Sequence, residues 1–398
     1  MEIYYSSFLF FATLLPNILL AKNCGNIPPF LSRLRDGVDI TKLDLLPLDF
    51  GTNDGFKNPV FDFTCDFETT RTINNDGFLR TSKIHKTSND VKKSMGLKVD
   101  VDYDAGIFSA SGSYKKVQDY ITNSSKYIEE VTSHTSGYKI NMMPDWALEF
   151  SRVAKMYIER FLPKTFNDNT TSQYMRFIHT FGTHYFNQGK FGGLLRLILA
   201  TDESYFDKKI DSQVEAQASA TFFNIIKLGG GGSSDRQTVD EAFIKATKEN
   251  IRYYGGSTDL IVTDGISAWQ STVAGKPWLF GGSLTEISGM IADRSKRQSM
   301  KRAIQVYMDK AHMEELLRII TWYYSFGKWD QHIIVMNMFK NQLNALLQQS
   351  LPDHNAVVTL ANTIETATFV PDWFRNTRLC YNWYADGDEG QCALVTRI

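Results

Sequence analysis

The sequence predicts an α+β protein in which strands with one wet face and amphipathic helices follow each other along the chain. LKVDVDYD (Leu97 to Asp104) alternates Leu97, Val99, Val101 and Tyr103 with Lys98, Asp100, Asp102 and Asp104, the period of a strand with one face in water. Trp146, Phe150, Val153, Tyr157 and Phe161 instead fall at helical spacing, ended by Pro163. Tandem repeats are absent, so no solenoid or propeller is implied. With 398 residues the chain can bury one large core or two ordinary ones.

The amino terminus opens on FLFFATLLPNILLA (Phe8 to Ala21), an apolar run of secretion-signal length that ends in a small residue before polar Lys22 and Asn23. Pro16 and Asn17 interrupt it too early for a spanning helix. Residues 1–21 are therefore expected to be a signal peptide and the mature chain to be secreted. Export agrees with the four cysteines, a proximal pair (Cys24, Cys65) and a distal pair (Cys380, Cys392), read as disulfides. It agrees also with the sequons at Asn123 and Asn169, expected glycosylation sites.

From Lys22 to about Phe63 the chain reads as a lead-in packed on the main domain. After Leu97 to Asp104 comes AGIFSASGSY, a strand-like run with Phe108, Ala110 and Tyr114 on one face and Ser109, Ser111 and Ser113 on the other. VQDYITNSSKYIEEV turns helical in composition, and SGYKINMM returns to strand. Asp145 is the expected N-cap of the Trp146 to Phe161 helix, and Thr171 or Ser172 that of a second helix ending at Phe181. GGLLRLILATDES (Gly192 to Ser204) reads as a strand buried more on one side. Val239 to Ile251 fits a helix better than a strand, Trp269 to Met290 reads as strand and loop, and Ser295 to Tyr324 as helix. Beyond Trp329 come one amphipathic helix, to about Leu347, and a loop-rich piece carrying LCYNWYADGDEGQC.

SQVEAQASATFF (Ser212 to Phe223) satisfies two patterns at once. As a strand it presents Val214, Ala216, Ala218, Ala220 and Phe222 on one face. As a helix it forms a stripe of Ile210, Val214, Ala218, Phe222 and Ile225 from good helix formers. The glycine-rich KLGGGGSSDRQ that follows is a turn by composition.

Known site chemistries are missing from the pattern. Net charge is −1, so nucleic acid is not an electrostatic partner. His179 and His184, in HTFGTH, lack the spacing and the intervening base of a helical zinc site, and read as packing or capping residues. GGGGSS lacks the lysine of a phosphate loop, DGDEG lacks the later glutamate of a calcium loop, and no nucleophile elbow is present. The sequence calls for no metal, no cofactor and no enzymatic activity.

YMRFIHTFGTHYFNQGKFGG (Tyr174 to Gly193) resembles the signature of the membrane attack complex/perforin (MACPF) family, an aromatic, Gly, Thr, His, aromatic run filled here by Phe181, Gly182, Thr183, His184 and Tyr185. Phe181 stands where Tyr or Trp is commoner. YYGGS, with Gly255 and Gly256, is similar to the family's glycine pair near the sheet bend, and WQSTVAGKPWLFGGSLTEISGMI to its later Trp, Pro and hydrophobic stretch. The resemblance covers roughly Leu45 to Tyr324, giving a family domain with its lead-in over 22–325 and a helix and loop-rich extension over 326–398.

The resemblance implies a bent, twisted four-stranded antiparallel sheet with two helical clusters, here about Asp104 to Glu130 and Tyr205 to Asn250. These clusters unwind into amphipathic hairpins while many protomers close into one ring. A strand in hydrocarbon must pair every backbone group, so insertion needs a closed barrel of strands about 9 to 11 residues long. Ser212 to Phe223 supplies one such strand and Ala105 to Tyr114 begins another. The expected function is a secreted pore-forming protein, with a lipid membrane and further copies of itself as partners. The alternative is a non-lytic extracellular protein of signalling or adhesion, favoured by the poor alternation of Val239 to Ile251. Expected insertion faces are Phe108, Ala110 and Tyr114, and Val214, Ala216, Ala218, Ala220 and Phe222. Gly255 and Gly256 are the hinge, and Phe181 to Tyr185 brace the bend. The extension, with Trp373, Trp383 and Tyr384, is either a receptor or lipid contact or a packed cap.

Overall fold

The computed structural model describes residues 29–49, 54–62, 71–73, 79–85, 97–100, 106–124, 126–202, 211–228, 237–325 and 333–366, with isolated positions between them. The strands in chain order are β1 (Asp36–Val38), β2 (Phe56–Pro59), β3 (Arg71–Ile73), β4 (Leu79–His85), β5 (Leu97–Asp100), β6 (Lys126–Asn141), β7 (His184–Asp202), β8 (Thr247–Tyr254) and β9 (Trp278–Glu286). The helices are α1 (Gly112–Ser124), α2 (Arg152–Arg160), α3 (Thr171–Phe181), α4 (Asp211–Leu228), α5 (Glu241–Ala246), α6 (Leu260–Thr263), α7 (Ile266–Val273), α8 (Arg294–Ser325), α9 (Ile333–Gln348) and α10 (His354–Thr366).

The axis of the sheet is the antiparallel pair β6 and β7, in register from Lys126 opposite Asp202 to Asn141 opposite Gln188. Each flank is a lane made of two shorter strands end to end. On β6 these are β3 and β4. On β7, β8 pairs with Leu194 to Thr201 and β9 with His184 to Gly192. Four antiparallel lanes result. β5 lies parallel to β9 on its far side, Leu97 opposite Gly282, and forms the first half of the strand expected over Leu97 to Asp104.

β7 is buried on both faces because a helical cluster covers each. Leu195, Leu197 and Leu199, with Val131 of β6, pack on Val214, Ala218 and Phe222 of α4 and Phe243 of α5. Ile198 and Ala200, with Ile128, face Tyr114 and Val117 of α1. Two-sided cover replaces the expected one-sided burial, as a near-continuous apolar run requires. The largest core lies around the other half of the sheet, where Val38, Phe181, Tyr185 and Phe186 meet Met300 and Ile304 of α8. A separate cluster joins Met313, Leu316 and Ile320 of α8 to Phe339 and Leu343 of α9 and Val357 and Ile364 of α10.

Several sequence expectations are corrected. Residues 106–110 form a turn and 112–124 a helix, so Phe108, Ala110 and Tyr114 do not share a strand. Gly106 has φ +82°, and a Cβ there would come within 2.5 Å of the Met308 carbonyl. α2 starts at Arg152 and its cap is Ser151, which accepts from the Ala154 N–H; Asp145 begins a separate 3-10 turn. Its buried side chains are Ala154 and Ile158, while Val153 (59%) and Phe161 (56%) are exposed, a stripe one residue out of register with the expected one. The α3 cap is Thr170, without a side-chain cap bond, in place of Thr171 or Ser172. Val239 to Ile251 is split into the short α5 and β8, because the exposed edge of β7 offers its backbone groups to 247–254 and tertiary pairing overrides a local helical preference. α7 forms inside the stretch expected to be strand and loop, and α10 lies where loop was expected.

Candidate functional site

Three levels of the sheet change together at one junction. β7 exchanges β8 for β9 between Leu194 and Gly192, β6 carries a bulge between Thr135 and Gly137, and the fourth lane is interrupted after Tyr254 by residues 255–277. Glycines occupy the junction because nothing else fits. A Cβ on Gly255 (φ +78°) would lie 2.5 Å from the Gly192 carbonyl oxygen, and one on Gly193 would be 2.6 Å from Thr135 Cγ2 and 2.7 Å from Val273 Cγ2. Gly256 has φ +65°, and a Cβ would meet Trp269 Nε1 at 2.8 Å. Trp269 of α7, fully buried, donates its indole N–H to the Gly255 carbonyl at 2.7 Å and stacks edge-on against Tyr253. The two glycines named from sequence therefore stand where the lane breaks, and α7 is bolted to them.

Phe181 to Tyr185 lie at the other end of β7. Gly182 ends α3 with φ +85°, and its N–H reaches the Ile178 carbonyl; a Cβ would be 2.5 Å from Val38 carbonyl atoms. Thr183 Oγ1 donates to the Val38 carbonyl (3.1 Å) and accepts from the Ile40 N–H (3.1 Å). Its proton being committed, His184 Nδ1 at 2.9 Å must be the donor to it. That leaves Nε2 as an acceptor, and it has no hydrogen-bond partner among the described residues. Burial drives the His184 pKa down to about 3, so the ring is neutral at physiological pH. Tyr185 meets Phe61 edge-on at 5.0 Å. The run locks α3, β1 and β7 together away from the junction. His179 is on the exposed face of α3 near Tyr307, apart from His184.

The second cluster, α4, uses its helical pattern. Val214 (0%), Ala218 (0%) and Phe222 (2%) are buried, whereas Ala216, on the same face in the alternating pattern, is exposed. Ala220 is buried at 6%. In the first cluster Phe108 and Ala110 sit in the turn that hydrogen-bonds Ile40 and Thr41, and Tyr114 lies in the first turn of α1. Asp44 Oδ2 accepts the Ser113 N–H at 2.8 Å, and Ser113 Oγ accepts the Leu48 N–H at 2.9 Å.

Buried ionic groups tie the clusters down, and sequence reading missed them. Arg196, 1% exposed within the apolar LLRLIL, donates Nε to Glu130 (2.7 Å) and Nη1 to the Leu46 carbonyl (2.7 Å), while His85 Nε2 is 2.7 Å from the other Glu130 oxygen. Burial raises the Glu130 pKa, but Arg196 and His85 outweigh it and hold the carboxyl well below the usual range. Tyr114 hydrogen-bonds Glu315 of α8, which also meets Lys92 at 3.1 Å. Against the rise from burial, Lys92, His312 and Tyr114 bring Glu315 down to about 2. An arginine inside a leucine run was the available signal for the first group; nothing local in the sequence marks the second.

Cys24, Cys65, Cys380, Cys392, the glycine run and DGDEG fall outside the described residues. Asn169 is exposed, and Asn123 lies in the last turn of α1. Among the described residues no helix is long and apolar enough to cross a membrane.

Comparison with known proteins places this geometry. The MAC/Perforin domain model matches residues 59–317. The chain is 34% identical over 395 residues to the perivitellin-2 67 kDa subunit of Pomacea canaliculata, covering 94% of this chain and 68% of that protein. The Pomacea maculata counterpart is 33% identical over 394 residues. Perforin-1 of Mus musculus is 21% identical over 239 residues, 53% of this chain and 42% of that one. The crystal structure of GNIP1Aa from Chromobacterium piscinae shares the fold with a TM-score of 0.53 at 15% identity, over 72% of this chain and 57% of that chain. That family is non-enzymatic, and its proteins typically bind membranes and oligomerise. A central antiparallel sheet with flanking helices, the Phe181 to Tyr185 signature and a match over most of its length make this chain a member of the MAC/Perforin domain family.

Proposed function

We propose that the chain is a secreted pore-forming protein that assembles into a homo-oligomeric ring on a target membrane. There it converts α1 and α4 with their neighbouring segments into amphipathic hairpins, using Gly255 and Gly256 as a hinge. The observation that carries this reading is Ala216. The resting helix needs only Val214, Ala218 and Phe222 as its buried stripe, yet Ala216 completes the alternation that a lipid-facing strand requires. Family membership and the likeness to perforin-1 support the same reading.

Because Ala216 is exposed in the resting fold, Ala216→Lys leaves folding intact. In a barrel it places an ammonium on the lipid face, at about 2–4 kcal/mol near the bilayer midplane. The expected result is unchanged melting with dye release from liposomes and red cells reduced by an order of magnitude or more. Gln213→Lys, exposed in the helix and lumen-facing in the strand, keeps release. Equal release from Ala216→Lys and wild type rejects the conversion of this segment. Absence of release from every membrane favours the second reading, a non-lytic extracellular partner in signalling or adhesion, to which the lysine and glutamate at 248 and 249 in the return strand also point.

A further inference from the structure

A cleft of about 620 Å³ opens beside the junction, between the lead-in and the turn that follows β8. Tyr253, Tyr254, Trp278 and Phe30 give it aromatic walls, and Gly255 and Gly256 form part of its rim. Its size is that of a small-molecule site with apolar walls and a few polar groups. Trp278 and Tyr254 are held in place, Nε1 donating to the Leu45 carbonyl at 2.7 Å and the phenol to the Pro47 carbonyl at 3.0 Å, so the walls are preformed.

The polar groups of the cleft are unevenly used. Arg33 and Asp54 pair with each other at 3.0 Å. Asp44, 1% exposed, gives Oδ2 to Ser113, but its Oδ1 is buried without a hydrogen-bond partner among the described residues. The nearby Arg196 guanidinium is already committed to Glu130 and to the Leu46 carbonyl. A buried carboxylate oxygen without a donor is costly, and the aromatic walls of the cleft favour a cation. At the exposed rim the Lys276 ammonium donates to Ser257 Oγ at 3.4 Å.

We propose that this cleft binds a small ammonium–phosphate zwitterion, its N–H donors on Asp44 and its phosphate on Lys276. A neutral polyol would supply donors to Asp44 but would leave Lys276 unused. A primary ammonium outranks a trimethylated one, because only the former can hydrogen-bond Oδ1. The ligand bridges the lead-in, whose Asp44 holds the first turn of α1, and the junction glycines. Differential binding to resting and opened states then biases their equilibrium. The binding claim itself does not rest on pore formation.

The test is calorimetric titration of the full purified chain with O-phosphoethanolamine, phosphocholine, inorganic phosphate and methyl glucoside. The expected order is O-phosphoethanolamine tightest, phosphocholine weaker, phosphate weakest and the glycoside silent. Asp44→Asn keeps an acceptor for Ser113 and should weaken O-phosphoethanolamine about tenfold or more, the usual worth of a charge-assisted hydrogen bond. Gly275→Trp fills the cleft from a position where an added Cβ meets only the Thr272 carbonyl oxygen, at 3.7 Å, and should abolish binding while the protein still melts cooperatively. Flotation with phosphatidylcholine vesicles, with and without phosphatidylethanolamine, separates a lipid headgroup from a free zwitterion as the source, since only a headgroup site gives vesicle binding that both variants lose. No heat with any zwitterion, equal affinity for the two amines, a preference for the glycoside, or binding untouched by Gly275→Trp overturns the proposal.

Discussion

The Tyr114 hydroxyl donates to the Glu315 carboxylate, joining the first turn of α1 to the long helix α8 across 201 positions of sequence. Any departure of α1 from the sheet has to break this bond and move away from Lys92, whose ammonium lies 5.0 Å from the Tyr114 ring. Tyr114→Phe removes one hydrogen bond to a charged group, about 2 kcal/mol, and should lower the melting temperature by roughly 2–3 °C in a chain of this length. If release of α1 limits membrane insertion, dye release by the variant is also faster at a fixed temperature. Unchanged kinetics together with a lowered melting point assign the bond to stability alone.

Arg196 and Glu130 make a second test. Both are buried, so removing one partner strands the other: Arg196→Met or Glu130→Leu should each cost about 3–5 kcal/mol, whereas the double change to Arg196→Met with Glu130→Leu should recover much of the loss. Chemical denaturation of the three variants measures this. Additive losses in the double variant would mean that the pair is not coupled.

Acid should weaken the fold through His184. Its native pKa of about 3 lies below the unfolded value of 6.5, so the unfolded chain takes up a proton that the native state refuses. Stability is full above pH 6.5 and falls as pH drops towards 3, by about 2 kcal/mol at pH 5. Glu130 and Glu315, with depressed pKa values, contribute throughout pH 7 to 5 and lose their share only as pH falls below about 4.5. On going from about pH 7 to pH 5 the wild type should lose more unfolding free energy than His184→Phe, while Asp36, raised to about 6 by burial, takes up a proton in the native state and opposes the loss in both; equal slopes would remove His184 from the account.

At the junction, Gly255→Val is a folding lesion before it is a hinge lock, since even a Cβ lies 2.5 Å from the Gly192 carbonyl oxygen. Gly255→Ala is expected to express poorly or melt several degrees early through strain of about 1–3 kcal/mol, and Gly275→Ala to behave as wild type. A cooperative, wild-type melt for Gly255→Ala would show that the glycine is not required at that φ.

Much of the architecture was legible from periodicity, and the misses have particular causes. β7 and α8 announced themselves because long segments average over local exceptions. The α4 segment was ambiguous for a reason the fold explains: Val214, Ala218 and Phe222 belong to both of its patterns, Ala220 is buried in the helix as well, and of the strand face Ala216 alone is left exposed. α2 slipped by one position because Val153 and Phe161, apolar but exposed, mimic a core stripe. β8 was read as helix because its partner, the edge of β7, lies about fifty residues upstream in sequence, for example Leu199 opposite Glu249. The glycine pair could be named, but not what crowds it, since Trp269, Gly192 and Thr272 converge there only in three dimensions. The Asp44 cleft left no trace in the sequence for the same reason.

The parallel pairing of β5 with β9 has a consequence for biosynthesis. Leu97 finds its partner at Gly282, and the signature strand is likewise sealed by Glu286 opposite His184. A nascent chain emerging from the ribosome therefore carries β5 unpaired until nearly the whole domain has been translated, at about 5–20 residues per second. Among the described strands β5 is therefore the one that waits longest for its partner, an open edge through most of the synthesis of the domain.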